Sequence, residues 1–305
     1  MPILTYDPEY QNQCKRPSNT GAHALTITPN IVTASDGAGI VQSVGAKVQT
    51  FQPGDKVCTH MVPQKPETEP VTFADISAGL GQRVDGTLRP FGVFHETALV
   101  KMPSSLPFLE ASTLTCAGLT AWNALFGLES RAPKKGDMVL VQGTGGVSVI
   151  ALQFALACGA TVIATTSSDA KAQKLKAAGA HHVLNYRKDL KWGETAKQLT
   201  PDGKGVHLVV DVAVRPEGVL AMTGLLGGAP DANVNTLIDC LVNLCTARGV
   251  LLGTRQQFAE MNAFIEEHGI RPVVDDKVFG LEEAADAYQY MDDQRHFAKV
   301  FVRVD

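Results

Sequence analysis

The chain has 305 residues, and at a usual domain size of about 100 to 200 residues it is expected to form two domains, each with its own core. With 45% hydrophobic and 19% charged residues, intrinsic disorder and a small disulfide-stapled module are both excluded. A net charge of −4, from 27 Lys plus Arg against 31 Asp plus Glu, leaves no electrostatic footprint for nucleic acid or an anionic membrane, so small-molecule chemistry is the default.

The start, Met1-Pro2-Ile3-Leu4-Thr5-Tyr6-Asp7, has neither a basic n-region nor an apolar h-region, and Arg303-Val304-Asp305 carries no lipidation or peroxisomal signal. Cytoplasm is therefore the expected address. Cys14, Cys58, Cys116, Cys158, Cys240 and Cys245 are scattered without a C-x2-C pair, which suits reduced thiols better than a disulfide scaffold or a clustered zinc lobe.

Up to about Leu106 the chain reads as strand and turn. Gly37 to Val44, a Pro53-Gly54 turn into Asp55-Lys56-Val57-Cys58, and Gly92 to Lys101 predict a small β-rich domain. A helix is expected through Cys116 to Leu125. Between Asp137 and Asp169 no residue is charged, a length that could cross a bilayer, but the texture is that of a buried βαβ unit. The β-branched run Met138 to Val141 meets Gly143-Thr144-Gly145-Gly146, Val147 to Cys158 is helix-compatible, Gly159 stops it, and Thr161 to Thr165 is β-branched again. Asp169 to Ala178 predicts a short helix with Ser168 as N-cap, followed by a strand at Val183 to Tyr186. Further strands are expected at Val206 to Asp211, Gly218 to Thr223 and Arg248 to Leu252. Thr254 and Gln257 form a capping box for a helix burying Phe258, Met261, Phe264 and Ile265, which Gly269 ends. Alternating β and α after an all-β start predicts an α/β fold with a separate β domain.

The Gly143-Thr144-Gly145-Gly146-Val147-Ser148 turn stands where a phosphate cradle must stand, after a strand and opening a helix. Ser148 replaces the usual third glycine, and a packing turn without a ligand is the competing account. About twenty residues on, a binder of the ribose 2′-hydroxyl places an acid. Here Thr165-Thr166-Ser167-Ser168 stands instead, with Lys171 one turn later, and small hydroxyls with a cation suit a 2′-phosphate. Asp169 is the candidate for a displaced acid, although its place in the first helical turn suits a cap better. Cys58 and His60 form the best metal-ligand pair but lack a third ligand of supporting spacing. No nucleophile signature is present.

Asp36-Gly37-Ala38-Gly39, Phe51 to Val57, Leu114-Thr115-Cys116-Ala117-Gly118-Leu119-Thr120-Ala121-Trp122-Asn123, the Gly143 to Ser148 turn, His268-Gly269-Ile270-Arg271-Pro272 and His296-Phe297-Ala298-Lys299-Val300 together resemble the medium-chain dehydrogenase/reductase superfamily. The likeness is greatest to its zinc-independent, quinone oxidoreductase-like and alcohol dehydrogenase-like branch. The resemblance implies a GroES-like substrate domain of residues 1–106 with 256–305, truncated at its N-terminus. It also implies a Rossmann domain, a doubly wound parallel sheet, of residues 107–255 that binds NADP. Carried over by position, Gly143, Thr144, Gly145, Gly146 and Val147 would hold the pyrophosphate. Ser167, Ser168, Lys171 and Tyr186 would surround the 2′-phosphate, and Thr120 would face the nicotinamide.

Three departures from the family pattern matter. Zinc-dependent relatives carry Gly-His-Glu in the region of Ser35-Asp36-Gly37, so Cys116, placed like a ligand cysteine, lacks its partners and no metal is expected. Met1 to Ser18 does not resemble the family's first β-hairpin. The helix between the strands at Val206 and Gly218 has shrunk to a connection around Arg215-Pro216-Glu217, short enough that either the strand near Gly218 turns antiparallel or one of these runs is not a family-like strand. Loss of that helix threatens to expose Leu208 to Val212 and Leu220 to Leu226, so low stability or self-association, in the simplest case as a homodimer, is expected. The sequence thus points to an NADPH-dependent, zinc-independent oxidoreductase acting on a carbonyl, enone or quinone. The alternative is a degenerate member, catalytically impaired, that binds cofactor or acts as an interaction protein.

Overall fold

A computed structural model describes residues 3–6, 28–210, 214–223 and 237–304. The chain forms two compact units, Met1–Leu119 with Leu251–Asp305, and Thr120–Val250. In chain order the first unit opens with β1 (Ile3–Tyr6), β2 (Asp36–Ile40), β3 (Lys56–Thr59), the short helix α1 (Phe73–Ser77), β4 (Leu99–Lys101), the turn-length α2 (Phe108–Ala111) and a π-helical turn at Leu114–Gly118. Helix α3 (Leu119–Phe126) leads into the second unit. It continues with β5 (Met138–Gln142), α4 (Gly146–Ala157), β6 (Thr161–Thr166), α5 (Asp169–Ala177), β7 (His182–Asn185), α6 (Trp192–Gln198), β8 (Val206–Val210), β9 (Val214–Met222), α7 (Leu237–Asn243) and β10 (Thr246–Gly249). The chain then returns to the first unit with α8 (Arg255–His268), β11 (Val278–Gly280), α9 (Ala284–Asp292) and β12 (Val300–Arg303).

The first unit is built on a sheet of order β11-β12-β1-β2-β3-β4. Only β11 and β12 run parallel; β1 pairs antiparallel with both β12 and β2. The opening residues, which carry no strand signal beyond a brief apolar run, therefore supply a central strand. Phe279, Ala287, Met291, Val300 and Val302 form a core between α9 and this sheet. Helix α8 forms as its sequence predicts. The Thr254 N–H donates to Gln257 Oε1 at 2.9 Å and the Gln257 N–H to Thr254 Oγ1 at 3.1 Å, while Gly269 ends the helix at φ +60°, a conformation that favours glycine. Phe258, Met261 and Ile265 are fully buried, whereas Phe264, expected with them, is only half-buried.

The second unit has a sheet of order β10-β9-β8-β5-β6-β7 in which every pair is parallel. That is the doubly wound dinucleotide-fold order, with its switch point between β5 and β8. Continuous apolar runs form the central strands because both faces are covered. Met138, Leu140, Ile163, Ala196, Val206 and Val209 make one core cluster, against which Trp192 and Leu199 pack. Ala124, Ala221 and Val250 make another.

Two expectations are corrected here. Strand β9 does not turn antiparallel: it pairs parallel with β8, with Val206 opposite Val214 and Leu208 opposite Val219. Between these pairs β9 carries a bulge that includes Glu217 at φ +63°. The bulge is held by the Arg131 guanidinium donating to Glu217 O at 2.9 Å and by the Glu217 N–H donating to Leu244 O at 2.7 Å. The connecting residues 211–213 lie outside the described residues. Most of the described side chains on these strands are also covered, although Met222 of β9 is 50% exposed. Leu208, Val209, Val210 and Ala221 are buried, because α6 covers one cluster and Ala124 of α3 the other; Val212 and residues 224–226 are outside the described residues. A run of exposed apolar side chains lies on and after α7, where Ile238, Leu241, Val242 and Leu244 stand 66 to 73% exposed.

Candidate functional site

The glycine turn leaves β5 at Gln142 and opens α4. Gly143 takes φ +77°, which places its N–H on Thr165 O at 3.1 Å and so fixes the turn to the neighbouring strand β6. Gly145 is the N-cap of α4, extended at φ −77° and with no side-chain cap hydrogen bond, so the helix's first N–H groups and its positive end have no capping side chain to satisfy them. A Cβ built at Gly143 or Gly145 meets nothing within 4 Å. At Gly143 the left-handed backbone itself favours glycine, whereas at Gly145 neither packing nor backbone demands it, and close approach of a ligand phosphate to the backbone would. Ser148, standing for the third glycine, turns its hydroxyl back to Gln142 O and is satisfied within the turn. The residues fit a pyrophosphate.

At the far end of β6, Ser168 caps α5 by accepting the Lys171 N–H at 3.4 Å. The Tyr186 N–H donates to Thr166 O at 3.0 Å, so Ser167, Ser168, Lys171 and Tyr186 are gathered at the ends of adjacent strands. Thr120 is buried on α3, an element separate from both groups. Asp169 does not cap the helix, the role its position suggested. Its Oδ1 accepts from Asn185 Nδ2 at 2.9 Å, and its Oδ2 meets Lys188 Nζ at 2.5 Å. Those partners, Lys188 foremost, hold the carboxyl below its ordinary pKa. Asn185 and Lys188 were not legible beside Asp169, since each meets it across a long separation in sequence.

The candidate metal residues have other engagements. The Cys58 thiol is buried and donates to Ala111 O at 3.3 Å. His60 faces Val62 O at 3.0 Å with Nδ1 and Gly253 O at 3.2 Å with Nε2. Asp36 pairs with Lys299. Cys116 sits half-buried in the π-helical turn. Among the described residues no group of three or more His, Cys, Asp or Glu is placed to hold a metal ion, so the described residues do not fit one. Among the same residues no helix is long and apolar enough to cross a membrane.

Residues 12–104 match the model of the alcohol dehydrogenase GroES-like domain, and residues 146–267 that of the zinc-binding dehydrogenase. The chain is 39% identical to the zinc-type alcohol dehydrogenase-like protein C1773.06c of Schizosaccharomyces pombe over 298 residues, covering 93% of this chain and 85% of the relative. It is 26% identical to a quinone oxidoreductase of Lama guanicoe over 87% of this chain and 76% of that one. A crystal structure of an alcohol dehydrogenase candidate from Sinorhizobium meliloti 1021 superposes with a TM-score of 0.86 at 30% identity, covering 99% of this chain and 90% of the other. With a GroES-like first unit, a doubly wound second unit and relatives of this kind, the chain belongs to the medium-chain dehydrogenase/reductase superfamily, whose members are oxidoreductases that use a nicotinamide cofactor.

Proposed function

We propose that this protein is an NADPH-dependent, zinc-independent oxidoreductase that transfers hydride to or from a carbonyl, enone or quinone of a small molecule. The observation that carries the cofactor assignment is the end of β6, where Ser167, Ser168 and Lys171 stand and the nearby carboxylate, Asp169, is held by Lys188 and Asn185. Hydroxyls and a cation bind a 2′-phosphate, and a bare carboxylate would repel one. The nicotinamide supplies the hydride chemistry when bound.

In this reading the N–H groups from Gly143 through Val147 hold the pyrophosphate, Ser167, Ser168, Lys171 and Tyr186 surround the 2′-phosphate, and Thr120 faces the nicotinamide. Zinc-independence is supported by the other engagements of Cys58, His60 and Asp36. The substrate class is supported by the alcohol dehydrogenase-like and quinone oxidoreductase relatives. No proton donor is assigned, since His60 has both ring nitrogens on backbone carbonyls.

Fluorescence titration of the purified protein tests the cofactor. Saturable NADPH binding tenfold or more tighter than NADH is expected, because a charge-assisted contact to the phosphate is worth about 1.5 to 3 kcal/mol. Equal affinity for the two sinks the assignment. A second reading, a catalytically impaired member that binds cofactor or acts as an interaction protein, is favoured by the three-residue connection between β8 and β9. Saturable NADPH binding without turnover of any carbonyl, enone or quinone would select it.

A further inference from the structure

We propose that Lys188 and Asn185 are specificity-determining residues that act through Asp169: they neutralise and turn aside the carboxylate nearest the end of β6, and so admit a ligand carrying a 2′-phosphate. The inference rests on the NADPH reading of the same site and names residues that no positional carry-over assigned.

The chain is built to hold this cluster. Asp169 is the first residue of α5 and directly follows Ser168, so its carboxylate originates within two residues of Ser167. Thr166 of β6 is paired with Asn185 of β7, which sets the Asn185 amide beside the start of α5. Asn185 Oδ1 accepts the Arg187 N–H at 3.1 Å, and this orients its amide nitrogen toward Asp169 Oδ1 at 2.9 Å. Asn185 O accepts the N–H groups of Lys188 at 3.0 Å and Asp189 at 2.9 Å. The resulting tight turn returns Lys188 Nζ to Asp169 Oδ2. Both carboxylate oxygens are thereby occupied, one by a neutral amide and one by a cation.

The pair is not there for stability. Asp169 and Lys188 are 65% and 68% exposed, and exposed ion pairs contribute little to folding. A dianionic phosphate placed beside Asp169 would, however, feel that charge directly once Lys188 was removed. The two roles separate experimentally, because a structural role moves the melting temperature and a specificity role moves the cofactor ratio.

The test is fluorescence titration with NADPH and with NADH, alongside thermal melts, on the full chain and on Lys188→Ala, Lys188→Arg and Lys188→Ala with Asp169→Asn. Lys188→Ala should weaken NADPH by about fivefold or more, leave NADH within about twofold and leave the melt unchanged. Lys188→Arg should retain NADPH affinity. Adding Asp169→Asn to Lys188→Ala should recover most of the loss. A double variant no better than the single overturns the proposal, because Lys188 would then act on the phosphate itself, and so does a Lys188→Ala variant that binds NADPH like the wild type. Wild-type preference for NADH sinks the NADPH reading alone, since the change in ratio between variants still reports on Asp169. A wild type that binds neither cofactor overturns both.

Discussion

Asp36 and Lys299 form an ion pair of 3.1 Å between Oδ2 and Nζ, with side chains 2% and 6% exposed. It ties the start of β2 to the residue before β12 within the first unit. Ser35 Oγ donates to the other Asp36 oxygen at 2.9 Å, so the buried carboxylate has a partner on each side. Breaking such a pair from one end leaves a charge in a dry site.

Lys299→Met should therefore destabilise the protein by about 3 to 5 kcal/mol, read as a fall in the urea midpoint at unchanged m-value. Asp36→Asn combined with Lys299→Met should regain most of that loss. A single variant within about 0.5 kcal/mol of the wild type would mean that the charge is solvated by some other route.

Gly145→Val separates folding from cofactor binding. The backbone at Gly145 is at φ −77°, which any residue adopts, and a Cβ there meets nothing within 4 Å. The variant is expected to melt like the wild type while losing at least about tenfold in dinucleotide affinity, because the added side chain occupies the approach to the first N–H groups of α4. Unchanged affinity would show that the turn is only a packing turn.

His60 sets an acid limit on stability. Burial lowers its pKa from 6.5, against the opposing pull of hydrogen bonds to Gly253 O and Val62 O. The unfolded chain thus binds the proton more readily, and stability must fall as pH drops below 6.5 toward the folded value. Asp75, held near 2 chiefly by its hydrogen bond to Lys65, gives up its contribution only lower, between 3.8 and about 2. Urea midpoints at pH 7.5 and pH 5.5 should differ, and His60→Gln should reduce that difference. A pH-independent midpoint across this range would contradict the linkage.

Cys58 should be inert in the native protein. Its thiol is fully buried, and burial pushes its pKa far above the usual thiol range. Brief alkylation at pH 8 followed by mass mapping is expected to leave Cys58 unmodified while the half-buried Cys245 reacts. Labelling of Cys58 ahead of Cys245 would indicate local opening of β3.

The second unit was largely legible because its signals are local. A β-branched run, a glycine turn and the Ser168 cap each declare themselves within a few residues, and the motifs shared with the family fixed their order. The capping box of α8 was readable for the same reason. The role of Ile3–Tyr6 was not, since four apolar and hydroxyl residues become a central strand only when β2 and β12 flank them. The direction of β9 was misjudged because connection length is a local quantity, whereas strand pairing depends on the exposed edge of β8 and on anchors such as Arg131 and Leu244. In the candidate site, Lys171 and the serines could be read from position, while the hold of Lys188 on Asp169 depends on the turn after β7.

The position of β12 beside β1 also bears on the order in which the protein can be made. The second unit is contiguous in sequence and can close as soon as its last strand leaves the ribosome. The first unit must wait with an open sheet until residues 300–303 have been synthesised, roughly 10 to 40 seconds of elongation after its first pieces could otherwise have been sealed. During that interval one edge of β1 is without its final neighbour, and this is when holdase chaperones would find the chain.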